Sequence, residues 1–578
     1  MMYTRLMKLL AIVCLSLLAC KKKDRSGGTT PPPPPPVDTA VVIQPAVDPP
    51  IASTTGFFLN DWQGKTFTAP AFTEMAAPAS TSVAVTIDAS SIVTKIPVSL
   101  YGNNANPYMS QMVVQPVLLD HIKNLNPHII RFPGGNLSSV FFWNAPKGVP
   151  PADAPAQMYD NGVLVSSGYW FGKNTESWTL STDNYYHMLQ QTGNEGMITI
   201  NHAYARYGTA ADPVAAAAHL AADWVRYDNG RTRYWEIGNE SNGTWQAGYR
   251  IDVSQNKDGQ PEYITGDLYG RHFKVFADSM RKAAAEKGKT IYIGAQLLER
   301  PAAAWQTATD KSWNQGVLTQ AGNAADFYIV HTYYTPYQTN SNAADILKSA
   351  TLVTKEMMEY MHQVTQTYGA PLKPIALTEW NIFAEGSKQM VSHVAGMHAV
   401  MVLGELMKNK FGMASRWDLA NGYGNGNDHG MFSKGDGAGE SLWNPRPAFY
   451  HMYYFQKMMG DRYITSTSNN TNVDAYGSTY SSGQAAVVLV NKSTVPQNVQ
   501  VTVKNFRPGN RFYWYTLSGG DDNGQFSARV FVNGLTTTGS AGGPSNYTAI
   551  KPYSSSAANG IKVSVPPMSV VYMAIDKK

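Results

Sequence analysis

Eight short apolar runs, well separated from one another, recur between residues 97 and 419. They cover 97–103, 128–133, 197–203, 233–238, 290–297, 325–332, 374–380 and 413–419. Their length and their aliphatic and aromatic content predict strands. Helical patterns lie between them, at 213–228, 268–287, 342–367 and 389–410; the first opens on Pro213, a residue suited to the first helical turn. Strands alternating with helices predict parallel βαβ units. Eight of them predict an α/β chain closed into a (β/α)8 TIM barrel, over residues 97–455. The longest insertion, at about 137–190, carries Trp143, Trp170 and Trp178.

From residue 456 to 578 the texture changes to Val, Thr, Ser, Tyr and Gly, with recurrent turn signals. This predicts a C-terminal antiparallel β-sandwich. Residues 57–96, with the alternating segment 82–88, are expected to supply strands that join it. Hydrophobic residues make up 43% of the 578 and charged ones 15%, which suits a large core and excludes a disordered chain. A net charge of +5 spread over this length leaves no footprint for nucleic acid. Both cysteines, Cys14 and Cys20, sit near the N-terminus, so the body can have neither a disulfide framework nor a Cys-based metal site.

Arg5 and Lys8 precede an apolar run at 9–19, which is too short to span a bilayer and suits a secretory signal. Leu17-Leu18-Ala19-Cys20 resembles the bacterial lipobox, which makes 1–20 a signal peptide and Cys20 the lipidated residue. Residues 21–56, with six prolines at 31–36, are expected to form an extended tether. The chain is then expected in the bacterial cell envelope, touching membrane only through its lipid.

In a TIM barrel the chemistry collects where strands end. The second run ends in Arg131-Phe132-Pro133-Gly134-Gly135-Asn136, the third in Asn201-His202 and the fourth in Gly238-Asn239-Glu240. The sixth ends in His331-Thr332-Tyr333, the seventh in Thr378-Glu379-Trp380-Asn381 and the eighth in Arg416-Trp417-Asp418. Glu240 and Glu379 lie 139 residues apart, on strands four and seven, and face each other across the mouth. Two facing carboxylates are what glycoside hydrolysis needs, one to protonate the departing oxygen and one to attack carbon or activate water.

The segment 234–248, YWEIGNESNGTWQAG, resembles the acid/base motif of the clan A glycoside hydrolases, and 375–381, IALTEWN, resembles their nucleophile strand. RFPGGN at 131–136 and the segment 444–462 resemble the α-L-arabinofuranosidase family 51; the first also resembles the endoglucanase and xyloglucanase family 44. The resemblance implies Glu240 as general acid/base, with a raised pKa, and Glu379 as an ionised nucleophile. It implies Arg131 beside Glu379, Asn239 on a sugar hydroxyl, Tyr333 bonded to Glu379 and His331 on the same wall. Double displacement with retention follows, with carboxyl groups roughly 5–5.5 Å apart. Asn104, Asn136, Trp143, His202, Trp245, Trp380 and Trp417 are candidate substrate contacts, although a Trp at such a place packs as often as it stacks.

Family 51 carries an acid at the end of strand one, and here the stretch reads Tyr101-Gly102-Asn103-Asn104-Ala105-Asn106. That departure leans toward an endo-β-glycanase, with an exo-acting α-L-arabinofuranosidase as the alternative. A non-catalytic glycan-binding lipoprotein is the rival of another class. A metal-dependent hydrolase would need HxH or HExxH pairs, and the 12 histidines form none. No cofactor and no metal are expected; the expected partner is a polysaccharide or oligosaccharide.

Overall fold

The structure is a computed structural model and describes residues 43–437 and 439–578. The signal peptide, Cys20 and most of the expected tether lie outside the described residues. Eight parallel strands close a barrel in chain order: β1 Gly102–Asn104, β2 Ile129–Phe132, β3 Glu195–Ile200, β4 Thr232–Ile237, β5 Tyr292–Gln296, β6 Phe327–Tyr333, β7 Ile375–Asn381 and β8 Met413–Arg416. The helices that follow them in turn are α1 Pro116–Leu125, α2 Thr182–Thr192, α3 Pro213–Asp228, α4 Gly266–Glu286, α5 Ala308–Ala321, α6 Ala343–Thr367, α7 His393–Lys408 and α8 Pro447–Met458. The first apolar run is shorter as a strand than expected, because Val98–Tyr101 winds into a 3-10 turn before β1.

Local chemistry sets the ends of these elements. In α3, Pro213 stands in the first turn, the Asp212 carboxylate accepts from the Ala215 amide, and Asn229 closes the helix at φ 53°. β7 carries one residue more than its neighbour: Val330 pairs with Leu377 and His331 with Glu379, so Thr378 is the extra residue of a bulge.

The expected tether ends sooner than residue 56. Thr54 and Thr55 donate their hydroxyls to the Lys410 carbonyl, and the Ile375 amide donates to the Thr54 carbonyl. Phe57 stacks on Tyr292 at 4.0 Å, and Phe58 packs with Tyr234, Phe327, Ile129 and Met413 in the lower barrel. Burial of two aromatic rings outweighs the extended tendency of the preceding prolines. Residues 54–59 therefore floor the barrel rather than join the sandwich.

The sandwich is built from one continuous sheet of eleven strands. Val83–Lys95 enters it between Arg462–Ser468, to which it is antiparallel, and Gln497–Lys504, to which it is parallel. The domain is thus not wholly antiparallel as expected: a strand arriving from before the barrel has its direction set by where the chain must go next. Val85, Ile87, Val487, Leu489, Phe512 and Trp514 fill its own core. Its other face meets α8, where His451 hydrogen-bonds the Tyr572 hydroxyl at 2.7 Å.

Candidate active site

Arg131, at the end of β2, is fully buried and organises the rim. Its Nε donates to Glu236 Oε1, and its Nη2 donates to Asn239 Oδ1 at 2.7 Å. Nη1 donates to Asn104 Oδ1 at 2.8 Å and to Glu379 Oε2 at 3.2 Å. Burial opposes this charge, but Glu236 and Glu379 more than compensate and hold the guanidinium protonated. The next turn needs its two glycines. Gly134 and Gly135 have φ of 62° and 63°, and a Cβ on Gly135 would stand 2.6 Å from the ring of Trp417.

The two predicted carboxylates meet. One oxygen of Glu240, one of Glu379 and one nitrogen of His331 lie within 4.8 Å of one another. Glu379 accepts from the Tyr333 hydroxyl at 2.8 Å as well as from Arg131. Glu240, at φ 45°, accepts from the Trp245 indole N–H at 3.0 Å and lies 3.1 Å from His331 Nδ1. Its side chain keeps 20% exposure against 7% for Glu379, which gives Glu240 the route to solvent and to a leaving group. Asn239 turns its Oδ1 to Arg131 and leaves its buried Nδ2 without a protein partner, a donor free for a ligand hydroxyl. A cation among Glu240, His331 and Glu379 would stand beside the fixed charge of Arg131, so this group is poorly suited to a metal.

Burial alone pushes Glu240 upward, but the hydrogen bond and charge of His331 outweigh it and hold the carboxyl below its usual value. Burial first, and the charge of Glu240 second, push Glu379 upward. Burial works against His331, yet Glu240 and Glu379 raise it above the ordinary imidazole value. The expected rise of Glu240 is thereby corrected: His331 beside it holds the carboxyl down. The proton is held toward His331 because the imidazole lies against two carboxylates.

Trp245, half-exposed, lies against Glu240, Trp417 lies against the glycine turn, and Asn136 is exposed at the rim. Four other expected contacts do not face the site. Trp143 is buried, donates to the Leu220 carbonyl and stacks on Trp224. Trp380 alternates outward from Glu379 and is fully buried near Tyr334. His202 is buried against His272 and Ser241; burial first, then His272, pushes its pKa far down, so it is a neutral wedge beneath the Glu240 loop. Asn104 spends its amide on the Thr378 and Ser415 carbonyls and its oxygen on Arg131, so it supports Arg131 and has nothing left for substrate.

Sequence reasoning missed Glu236 and Thr378. Glu236 accepts from Arg131, from Thr199 Oγ1 at 2.7 Å and from Thr378 Oγ1 at 3.0 Å. A signal was present: a carboxylate in the apolar run Tyr-Trp-Glu-Ile is buried, and a buried charge needs a partner. Thr378 gave no such signal, since its inward turn depends on the β7 bulge.

A protein-family model for the alpha-L-arabinofuranosidase 1 domain matches residues 121–350. The match takes in Arg131, Glu240 and His331 and ends before Glu379. The chain is similar to the clan A glycoside hydrolases. The intracellular exo-alpha-(1->5)-L-arabinofuranosidase of Bifidobacterium longum is 27% identical over 282 residues, 46% of this chain and 44% of that protein. The chain spans about half the length of the curated relatives it matches. A solved alpha-L-arabinofuranosidase from Thermotoga maritima, in an arabinose complex, has a TM-score of 0.59 and 18% identity, covering 85% of this chain and 99% of its own. A Paenibacillus polymyxa xyloglucanase of family 44 has a TM-score of 0.54 and 11% identity, covering 86% of this chain and all of its own. Both share the fold of barrel and sandwich.

Proposed function

We propose that this chain is a retaining glycoside hydrolase that releases α-L-arabinofuranosyl groups from the ends of glycan chains. The observation that carries this is the approach of the Glu240 and Glu379 carboxylate oxygens to within 4.8 Å, on strands four and seven of one barrel mouth. That close approach suits the short carboxyl separation at which one carboxylate attacks carbon directly. Glu379, held by Arg131 and Tyr333, attacks the anomeric carbon. The departing oxygen takes a proton from Glu240, which then acts as base toward water. Asn239 binds the hydroxyl next to the reacting carbon through its free Nδ2.

The lean toward an endo-β-glycanase gives way. It rested on asparagine in place of an acid at the end of strand one and on the Trp-bearing insertion after strand two. Asn104 is committed to Arg131 and the backbone of β7 and β8, and Trp143 of the insertion packs on Trp224. The matched family model and the Bifidobacterium longum relative favour arabinofuranosidase chemistry. The test is hydrolysis of arabinan, arabinoxylan and xyloglucan by the purified protein, with Glu379→Ala as control. Free arabinose, first seen by NMR as the anomer of retained configuration, is expected. A ladder of oligosaccharides would restore the endo reading, and glycan binding without product would favour a non-catalytic lipoprotein.

The envelope location belongs to the same proposal. Cys20, after Leu17-Leu18-Ala19, is the acylation site that attaches the chain to a membrane. Palmitate labelling that persists in Cys20→Ser would refute it.

A further inference from the structure

His331 lies between the two carboxylates, and its hydrogen bonds decide where the acid's proton can be. Its Nε2 is 3.0 Å from Thr378 Oγ1. The Thr378 hydroxyl has one hydrogen, and at 3.0 Å it donates this to Glu236 Oε2. Glu236 is ion-paired with Arg131 and therefore only accepts. Thr378 Oγ1 can then only accept from His331, so Nε2 carries a hydrogen. Nδ1 lies 3.1 Å from Glu240 Oε1 and 3.9 Å from Glu379 Oε2. A bare Nδ1 would aim its lone pair at two carboxylates, an arrangement that a single shared proton relieves.

We propose that Thr378, backed by Glu236, fixes His331 as the Nε2–H tautomer, so that Nδ1 and Glu240 Oε1 jointly hold the one proton delivered to the departing oxygen. This rests on the glycoside hydrolase reading above. The charged and titratable groups facing His331 are Glu240 from the loop after β4, Glu379 from β7, Arg131 from β2 and Tyr333 beside it on β6. As Glu379 bonds to the anomeric carbon its negative charge disappears, and Nδ1–H loses one of its two stabilising carboxylates. The proton passes to Glu240 and on to the glycosidic oxygen as the carbon–oxygen bond breaks. In the second half, water adds to the carbon, its proton returns to the Glu240–His331 pair, and Glu379 leaves as carboxylate. The β7 bulge makes this possible, because it turns Thr378 inward next to Glu379. His331 and Thr378 are positioning residues for Glu240.

The test compares kcat/KM for phenyl and 2,4-dinitrophenyl α-L-arabinofuranosides across pH, using the full chain. The phenyl leaving group needs the acid, and the dinitrophenyl group does not. Thr378→Val lets His331 flip to Nδ1–H, which leaves no spare proton in the pair. It is expected to cost about 30-fold on the phenyl substrate and less than about 3-fold on the other, with the alkaline limb moved about one pH unit down. Thr378→Ser restores all three. Equal losses on both substrates, or an unmoved alkaline limb, overturn the proposal. A readout independent of turnover is 15N NMR of histidine-labelled protein, with the His331 signal assigned by its loss in His331→Gln. On raising pH, Nδ1 is expected to lose its proton; loss from Nε2 overturns the tautomer assignment. Should the wild type cleave neither glycoside, the glycosidase reading fails and the NMR result still decides the tautomer.

Discussion

The two ends of the barrel are made from the same eight strands and are opposite in chemistry. The floor is closed by Phe57 and Phe58 on Tyr234, Tyr292, Phe327 and Met413, with the charged Arg233 only over the ring of Tyr234. The rim buries Glu236 and Glu379 within hydrogen-bond reach of Arg131. Apolar packing at the floor adds stability and tolerates one geometry about as well as a near neighbour. The rim accepts the cost of desolvated charge, and one of the partners there, Glu379, is the nucleophile proposed above. Loss of stability and loss of activity therefore separate along the barrel axis.

The largest effect expected is at the rim. Glu379→Ala should lower kcat/KM by about 10⁴-fold or more, while thermal melting stays near wild type, because the lost 3.2 Å bond to Arg131 is offset by relief of the burial and Glu240 repulsion that push Glu379 upward. A melting point that falls along with activity would break the contrast. Phe58→Ala should do the reverse, costing about 3 kcal/mol in urea unfolding with kcat per folded molecule unchanged. Glu236→Gln is the residue that crosses the division. It leaves Arg131 half-paired, so it should cost about 3 kcal/mol of stability and activity as well. Trp245→Phe removes the N–H donated to Glu240 together with part of a half-exposed ring, and a loss of about tenfold in kcat/KM is expected with stability intact.

The pH profile sharpens the same contrast. Glu379 must be ionised and lies above its ordinary 4.5, so the acid limb of kcat/KM should fall above pH 4.5. The shared proton is held by His331, which lies above its ordinary 6.5, so the alkaline limb should fall above pH 6.5. Stability should follow another course. Burial pushes His128 and His393 down to about 4 and His272, His398 and His429 to about 3. These stay neutral in the fold and take up protons once unfolded. Stability is therefore full above pH 6.5 and drains as pH falls from 6.5 toward 3–4. Chemical denaturation at pH 7.5, 5.5 and 4.5 checks this: a midpoint independent of pH would mean that these histidines are not buried neutral.

Much of the site was legible in the chain. Strand ends identify themselves, because an apolar run that stops in Asn-Glu or Thr-Glu leaves a costly polar group where only a rim can solvate or use it. Glu240, Glu379, Arg131, Asn239, His331 and Tyr333 were all found this way or by family likeness, and they converge. The tryptophans were not legible. Trp143 and Trp380 stand beside polar rim residues in sequence yet point into the packing between strands and helices. Which way a ring points depends on the pleat and on neighbours that arrive from elsewhere in the chain.

Periodicity and composition by themselves determined the barrel, the sandwich and the pair of carboxylates, since a repeated alternation of strand and helix patterns has few compact solutions. The tertiary structure alone decided three matters. The chain near residue 56 turns back to floor the barrel, Asn104 serves Arg131 instead of a sugar, and Thr378 turns inward at a bulge to hold His331. Each depends on contacts between residues far apart in the chain. Local propensity carries no record of such contacts, because their free energy exists only once the barrel has closed.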